Sequence, residues 1–125
     1  MKLTPVLFVE AIEPSLPFWI ERLGFEKQVE VPHGDHLGFV ILTRGATEVM
    51  LQSWPSVSED VPALAAMPRG LSCGLYVEVD DFDDTLRRVQ GVPVVVPERT
   101  TFYGMREVFV REPGGHVVGL AAKSA

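Results

Sequence analysis

The chain has one cysteine, Cys73, in 125 residues. A single cysteine cannot close an intrachain disulfide, and with no CxxC pair a zinc–thiolate site is excluded. No base stands beside Cys73 in the sequence, so it reads as a small buried hydrophobe rather than a nucleophile. Long apolar runs are also missing. None nears the roughly 20 residues that span a bilayer, and the opening "MKLTPVLFVE" lacks the apolar stretch and cleavage site of a secretion signal. These absences predict a cytoplasmic protein with no membrane partner. Basic charge is scarce as well. Lys and Arg number 11 against 17 Asp and Glu, and the net charge is −6. Arg87 and Arg88 form the only basic pair, behind an acidic cluster, so the clustered cations that neutralise phosphates are absent and nucleic acid is excluded as a partner.

What remains is a sequence 46% apolar and 22% charged, of a length that suits one globular domain with a real core. Two stretches read as amphipathic helices. In "EPSLPFWIERLGF" the residues Leu16, Trp19, Ile20 and Leu23 keep to one helical face. Pro14 and Pro17 fall in the first turn and Gly24 supplies a stop. In "DDFDDTLRRVQG", Asp81 is placed to cap a helix. Asp83 and Asp84 sit near its positive end, Arg87 and Arg88 follow, and Gly91 ends it. Short Val-, Leu-, Ile- and Phe-rich segments at 4–9, 25–31, 37–43, 47–53, 73–79, 93–97, 105–111 and 116–121 read as strands. "TRGATE" and "REPGGH" between them read as hairpin turns.

The order is β-α-β-β-β twice, with a linker at 54–70 rich in Pro and Ser that has room for one helical turn. An offset of 70 residues aligns Val9 with Val79, Glu10 with Asp80, Ile12 with Phe82, Glu13 with Asp83, Ser15 with Thr85 and Leu16 with Leu86. Internal duplication follows, with module one at 1–53 and module two at 71–125.

The segments "PSLPFWIERLGF", "GLYVEVDDFDD" and "REVFVREPGGHVVGL", in this order and spacing, resemble the vicinal oxygen chelate superfamily, which includes glyoxalase I, extradiol dioxygenases and bleomycin-resistance proteins. The resemblance covers nearly the whole chain. It implies an α+β fold, the glyoxalase/bleomycin-resistance fold, in which tandem βαβββ modules form a curled mixed sheet with a cleft, often completed by a dimer partner. Metal-using members place His, Glu or Gln ligands on the first and last strands of each module. Those places fall on Thr4, Gly74, Met50 and Gly119, none of which offers the imidazole or carboxylate such ions need. The expectation is therefore no metal and no cofactor. "HGDH", with His33, Asp35 and His36, reads as a solvated turn, and His116 as a lone histidine at a strand edge.

With the register that the resemblance implies, strand alternation lists the positions that face the cleft: Thr4, Val6 and Phe8; Glu48, Met50, Gln52 and Trp54; Ser72, Gly74 and Tyr76; Val117, Gly119 and Ala121. Val6, Phe8 and Val117 read as plain core in preference to ligand contacts. The proposed ligand contacts are Met50, Gln52, Trp54 and Tyr76, joined by Phe102, Tyr103, Arg106 and Glu107 from "ERTTFYGMRE". That stretch reads either as a polar loop walling a ligand or as a hairpin whose aromatics cover the sheet edge. Arg106 and Glu107 alternate along a strand, so only one of them can face a ligand. In the leading reading a homodimer sequesters a small organic molecule without metal, as in bleomycin resistance. The alternative is a lyase, isomerase or dioxygenase with a displaced metal drawn from Glu48, Glu107, His36 or His116. A purely structural or interaction protein is the third.

Overall fold

The computed structural model describes residues 1–70 and 73–124. The chain divides into two compact units, Met1–Gly70 and Leu71–Ala125. The first runs β1 (Val6–Val9), a 3-10 turn (Glu13–Ser15), a π-helical segment (Pro17–Arg22), β2 (Glu26–His33), β3 (His36–Arg44), β4 (Thr47–Ser53), α1 (Trp54–Asp60) and α2 (Pro62–Ala65). Its sheet has the order β1-β4-β3-β2, with β1 parallel to β4 and the other pairs antiparallel. The second runs β5 (Leu75–Glu78), α3 (Phe82–Arg88), β6 (Val94–Thr100), β7 (Met105–Arg111) and β8 (Val117–Lys123). Its order, β5-β8-β7-β6, repeats the same parallel and antiparallel pattern. The expected α+β class and the repeated element order are both present, as two four-stranded mixed sheets.

Alternation decides which side of each sheet is core. In the first unit Leu7, Val9, Val40, Leu42, Val49 and Leu51 are buried, together with Phe18, Trp19, Leu23 and Phe25. The Trp19 ring meets Phe18 and Phe25 edge-to-face at 5.2 and 5.3 Å, the geometry that aromatic quadrupoles favour. In the second unit Val108, Val110, Val118 and Leu120 are buried with Phe82, Thr85 and Val89 of the α3 region. The cap on α3 is the one expected: Asp81 Oδ1 accepts from the Asp84 amide at 3.0 Å.

Several sequence expectations need correction. The first helix is not one α-helix. Pro17 has no N–H to return to Glu13, so an α ladder cannot run from the first turn into the second. The chain restarts at Pro17 in a wider winding, with the Leu23 amide bonded to the Phe18 carbonyl at 3.1 Å. The supposed linker holds two helices. Ser53 Oγ caps α1 by accepting from the Ser56 amide, with Pro55 in the first turn. Cys73 is exposed, because it precedes the short edge strand β5 rather than lying within a covered layer. Val6, Phe8 and Val117 are not core. They sit on the faces opposite it, Val6 40% exposed and the other two half-buried. Ser72 lies outside the described residues.

Candidate functional site

Strand register makes the two units comparable residue by residue on the face away from the core. In the first unit, Val6 of β1, Met50 of β4 and Ile41 of β3 form one row across the sheet, and Phe8, Gln52 and Phe39 the next. In the second, the same rows are Tyr76, Gly119 and Phe109, then Glu78, Ala121 and Glu107. Met50 and Gly119 therefore occupy equivalent places.

Glu107 is the centre of the second face. It is fully buried, yet it lies on the side away from the core, and its carboxylate is saturated with donors. The Tyr76 hydroxyl donates to Oε2, and the Tyr103 hydroxyl donates to the same oxygen at 2.9 Å. Arg99 Nε donates to Oε1 at 3.0 Å, and its Nη2 lies 3.0 Å from the same oxygen as an ion pair. The Tyr76 bond is the main reason Glu107 stays below the ordinary carboxylate range. Burial opposes that shift, while Tyr103 and Arg99 reinforce it. The same bond, with desolvation and the carboxylate charge adding to it, pushes the Tyr76 phenol up to about 12. Such a phenol holds its proton at neutral pH, and both oxygens of the carboxylate already accept hydrogen bonds. The two hydroxyls are thereby held on one carboxylate oxygen, which fixes where both rings lie. Those rings are presented outward: Tyr76 is 51% exposed and Tyr103 53%.

The segment around Tyr103 is a tight hairpin rather than a long loop, since β6 runs to Thr100 and β7 begins at Met105. Gly104 takes φ +82° in the turn, a conformation that favours glycine. Phe102 stands at the tip, fully exposed, and meets Tyr103 edge-to-face at 5.1 Å. It covers no sheet edge. Arg106 points to the other side of β7 from Glu107. There it pairs with Asp83 at 3.1 Å and Glu98 at 2.7 Å and lies over the Phe82 ring.

On the first unit, Met50 and Gln52 are half-buried on the outward face, and Gln52 Nε2 donates to Ser56 Oγ at 3.2 Å. Trp54 opens α1, and its ring packs on Phe8 with centroids 5.1 Å apart. Of the expected contacts, the structure thus brings Tyr76, Tyr103 and Glu107 together, with Phe102 beside Tyr103. Met50, Gln52 and Trp54 share the first unit's outward surface. Arg106 stands apart from the second unit's group. Sequence reading missed Arg99 and Phe109, which become neighbours of the site only through the β6–β7–β8 register.

The family's metal places do not fit a metal ion. Thr4 bonds to Glu48 Oε1 at 3.5 Å, and Glu48 is already paired with Lys2 at 2.6 Å. A side chain at Gly119 would collide with the edge of the Phe109 ring, because a Cβ there would lie 2.6 Å from Cε2. The glycine makes room for Phe109, whose ring covers the place a carboxylate would need. The alternative ligands are dispersed as well. His33 pairs with Glu59 at 2.7 Å, His36 lies 3.7 Å from Glu13, and the His116 amide donates to Glu112 Oε1. Among the described residues no three His, Cys, Asp or Glu side chains gather as a metal site.

Similar folds are found across solved structures. A glyoxalase/bleomycin resistance protein/dioxygenase family enzyme from Burkholderia phytofirmans PsJN aligns with a TM-score of 0.79 at 16% identity, covering 96% of both chains. TnmS3, an antibiotic binding protein from Streptomyces sp. CB03234, aligns at 0.69 and 25% identity over 99% of this chain and 98% of its own. A lactoylglutathione lyase from Agrobacterium tumefaciens aligns at 0.71 and 19% identity, covering 98% and 92%. No curated protein matches significantly in sequence. The model of the Glyoxalase/Bleomycin resistance protein/Dioxygenase superfamily matches residues 3–120. With that match spanning both βαβββ units, the chain belongs to this superfamily.

Proposed function

We propose that the protein binds a small, flat organic molecule without using a metal, and that it sequesters the molecule rather than transforming it. The observation that carries this reading is the pair of tyrosines pinned by their hydroxyls to buried Glu107 while their rings face outward. Rings already held in place lose little freedom when a ligand stacks on them, so their contact area is turned into affinity. Phe102 extends this aromatic surface, and Met50, Gln52 and Trp54 offer a comparable mixed surface on the first unit. The likeness to TnmS3, an antibiotic binding protein, supports an antibiotic-like ligand. A homodimer in the cytoplasm is the proposed working form. Arg106, engaged with Asp83 and Glu98 on the other side of β7, has no part in the site.

Native mass spectrometry of gently purified protein tests the reading directly. The expected result is a copurifying organic ligand and no stoichiometric metal. Affinity for that ligand should fall by about tenfold or more in Tyr103→Ala, the loss expected when an aromatic anchor is truncated. A stoichiometric transition metal, or full affinity in Tyr103→Ala, would overturn it.

A further inference from the structure

The first unit contains a second arrangement built for recognition, and the chain itself fills it. The Arg69 guanidinium lies over the Trp54 ring, 4.1 Å from its centroid. Its Nη1 is 2.6 Å from Glu10 Oε1. Phe8 supports the same indole at 5.1 Å. An aromatic face beside a carboxylate is the pairing that suits a planar, delocalised, weakly hydrated cation, which stacks through its plane and donates through its edge. We propose that Trp54 and Glu10 form a binding site for an external planar cation, a guanidinium or amidinium group, and that Arg69 occupies this site in its absence.

Physical magnitudes favour exchange over a permanent lock. The Arg69 side chain is 50% exposed and Glu10 is 79% exposed. An ion pair that open to water is worth little, and an exposed cation–π contact is weak as well. Arg69 is therefore held loosely enough for a ligand to displace it. Its presence lowers apparent affinity only by the fraction of time it covers the ring. The net charge of −6 favours cation encounter. The site rests on the first unit's geometry alone. Its place in a ligand-sequestering protein rests on the binding reading above.

The test uses the full chain, benzamidine as the planar cation and benzylamine as a non-planar cation of equal charge. Binding is read by titration calorimetry in every variant, with the indole N–H resonance of buried Trp19 as the control for folding. Arg69→Ala should bind benzamidine about fivefold more tightly than the unaltered chain, the gain expected from removing one weak internal competitor. Benzylamine should bind more weakly than benzamidine. Adding Glu10→Gln should lower the affinity, and adding Trp54→Leu should abolish it while the Trp19 resonance stays in place. Equal affinity with and without Arg69, equal binding of the two amines, or binding that survives Trp54→Leu would overturn the proposal. The copurified-ligand assay reads Tyr103 in the other unit, so either result can fail without the other.

Discussion

Across the outward face of the first sheet, Phe8, Gln52 and Phe39 stand in the row where the second sheet has Glu78, Ala121 and Glu107. One row away, Met50 between Val6 and Ile41 corresponds to Gly119 between Tyr76 and Phe109. The backbone ladder is the same, but bulk and charge are distributed differently. The first unit fills its central strand with a long side chain and puts its edge-to-face ring cluster, Phe18, Trp19 and Phe25, in the core. The second empties its central strand, lets Phe109 lean over the gap, and arranges its tyrosines around a buried carboxylate. The repeated fold thus puts an aromatic cluster in the core of one copy and two tyrosines on the outward face of the other, because strand pairing constrains backbone spacing and leaves side-chain volume free to move between neighbours.

The largest effect that would sharpen this contrast is expected in the first core. Trp19→Ala should cost about 3–5 kcal/mol in urea unfolding, the usual range for emptying a buried aromatic site. A small loss would break the claim that this unit's ring cluster serves stability. Next comes Gly119→Ala, expected to cost about 1–3 kcal/mol by overpacking against Phe109. In a Phe109→Leu background the same substitution should cost clearly less. Additive losses in that double-mutant cycle would show that the ring does not fill the glycine's place.

The Glu107 cluster should appear in the pH dependence of unfolding. Its folded pKa lies below the ordinary value, so its contribution is present above the unfolded carboxylate pKa. That contribution fades as pH falls through the lowered folded value. Glu107→Gln should flatten this acid limb. The Tyr76 phenol is raised to about 12, so its share is full below the unfolded phenol pKa and is lost as pH rises through about 12. Tyr76→Phe should remove that alkaline loss and cost about 1 kcal/mol at neutral pH, as for one hydrogen bond. Unchanged pH limbs in both variants would show that the two units do not differ in this way. The smallest effect belongs to Phe102→Ala, expected within about 0.5 kcal/mol because the ring is fully exposed. If it binds ligand, affinity should fall while the unfolding midpoint holds.

Much of this was legible before the structure. Short Val-, Leu-, Ile- and Phe-rich segments located the strands, Asp81 announced the cap of α3, and the glycines of "TRGATE" and "REPGGH" marked hairpin turns that do use positive φ at Gly45 and Gly115. Met50 and Gly119 were already named together as the last-strand places that the family resemblance implies, although the 70-residue offset of the repeat pairs Gly119 with Val49. Ser53, followed by Pro55, carried an N-cap signal for α1 that the Pro- and Ser-rich composition of the segment obscured. Other features had no local signal. Nothing near Glu107 in sequence indicates that Arg99 and Tyr76 will meet it, and nothing near Gly119 names Phe109.

Residue type and spacing along the chain indicated the repeated βαβββ order, and the family resemblance indicated four metal places that lack imidazole or carboxylate, because both depend only on what stands where in the sequence. Only the tertiary structure decided what occupies those places. Whether Gly119 leaves a gap or receives a ring depends on which β7 residue lies opposite it. Whether Glu107 is a solvated strand residue or the buried anchor of two tyrosines depends on register across β5, β8, β7 and β6. Those are distances between strands far apart in sequence, and side-chain alternation fixes a residue's face without naming its neighbour.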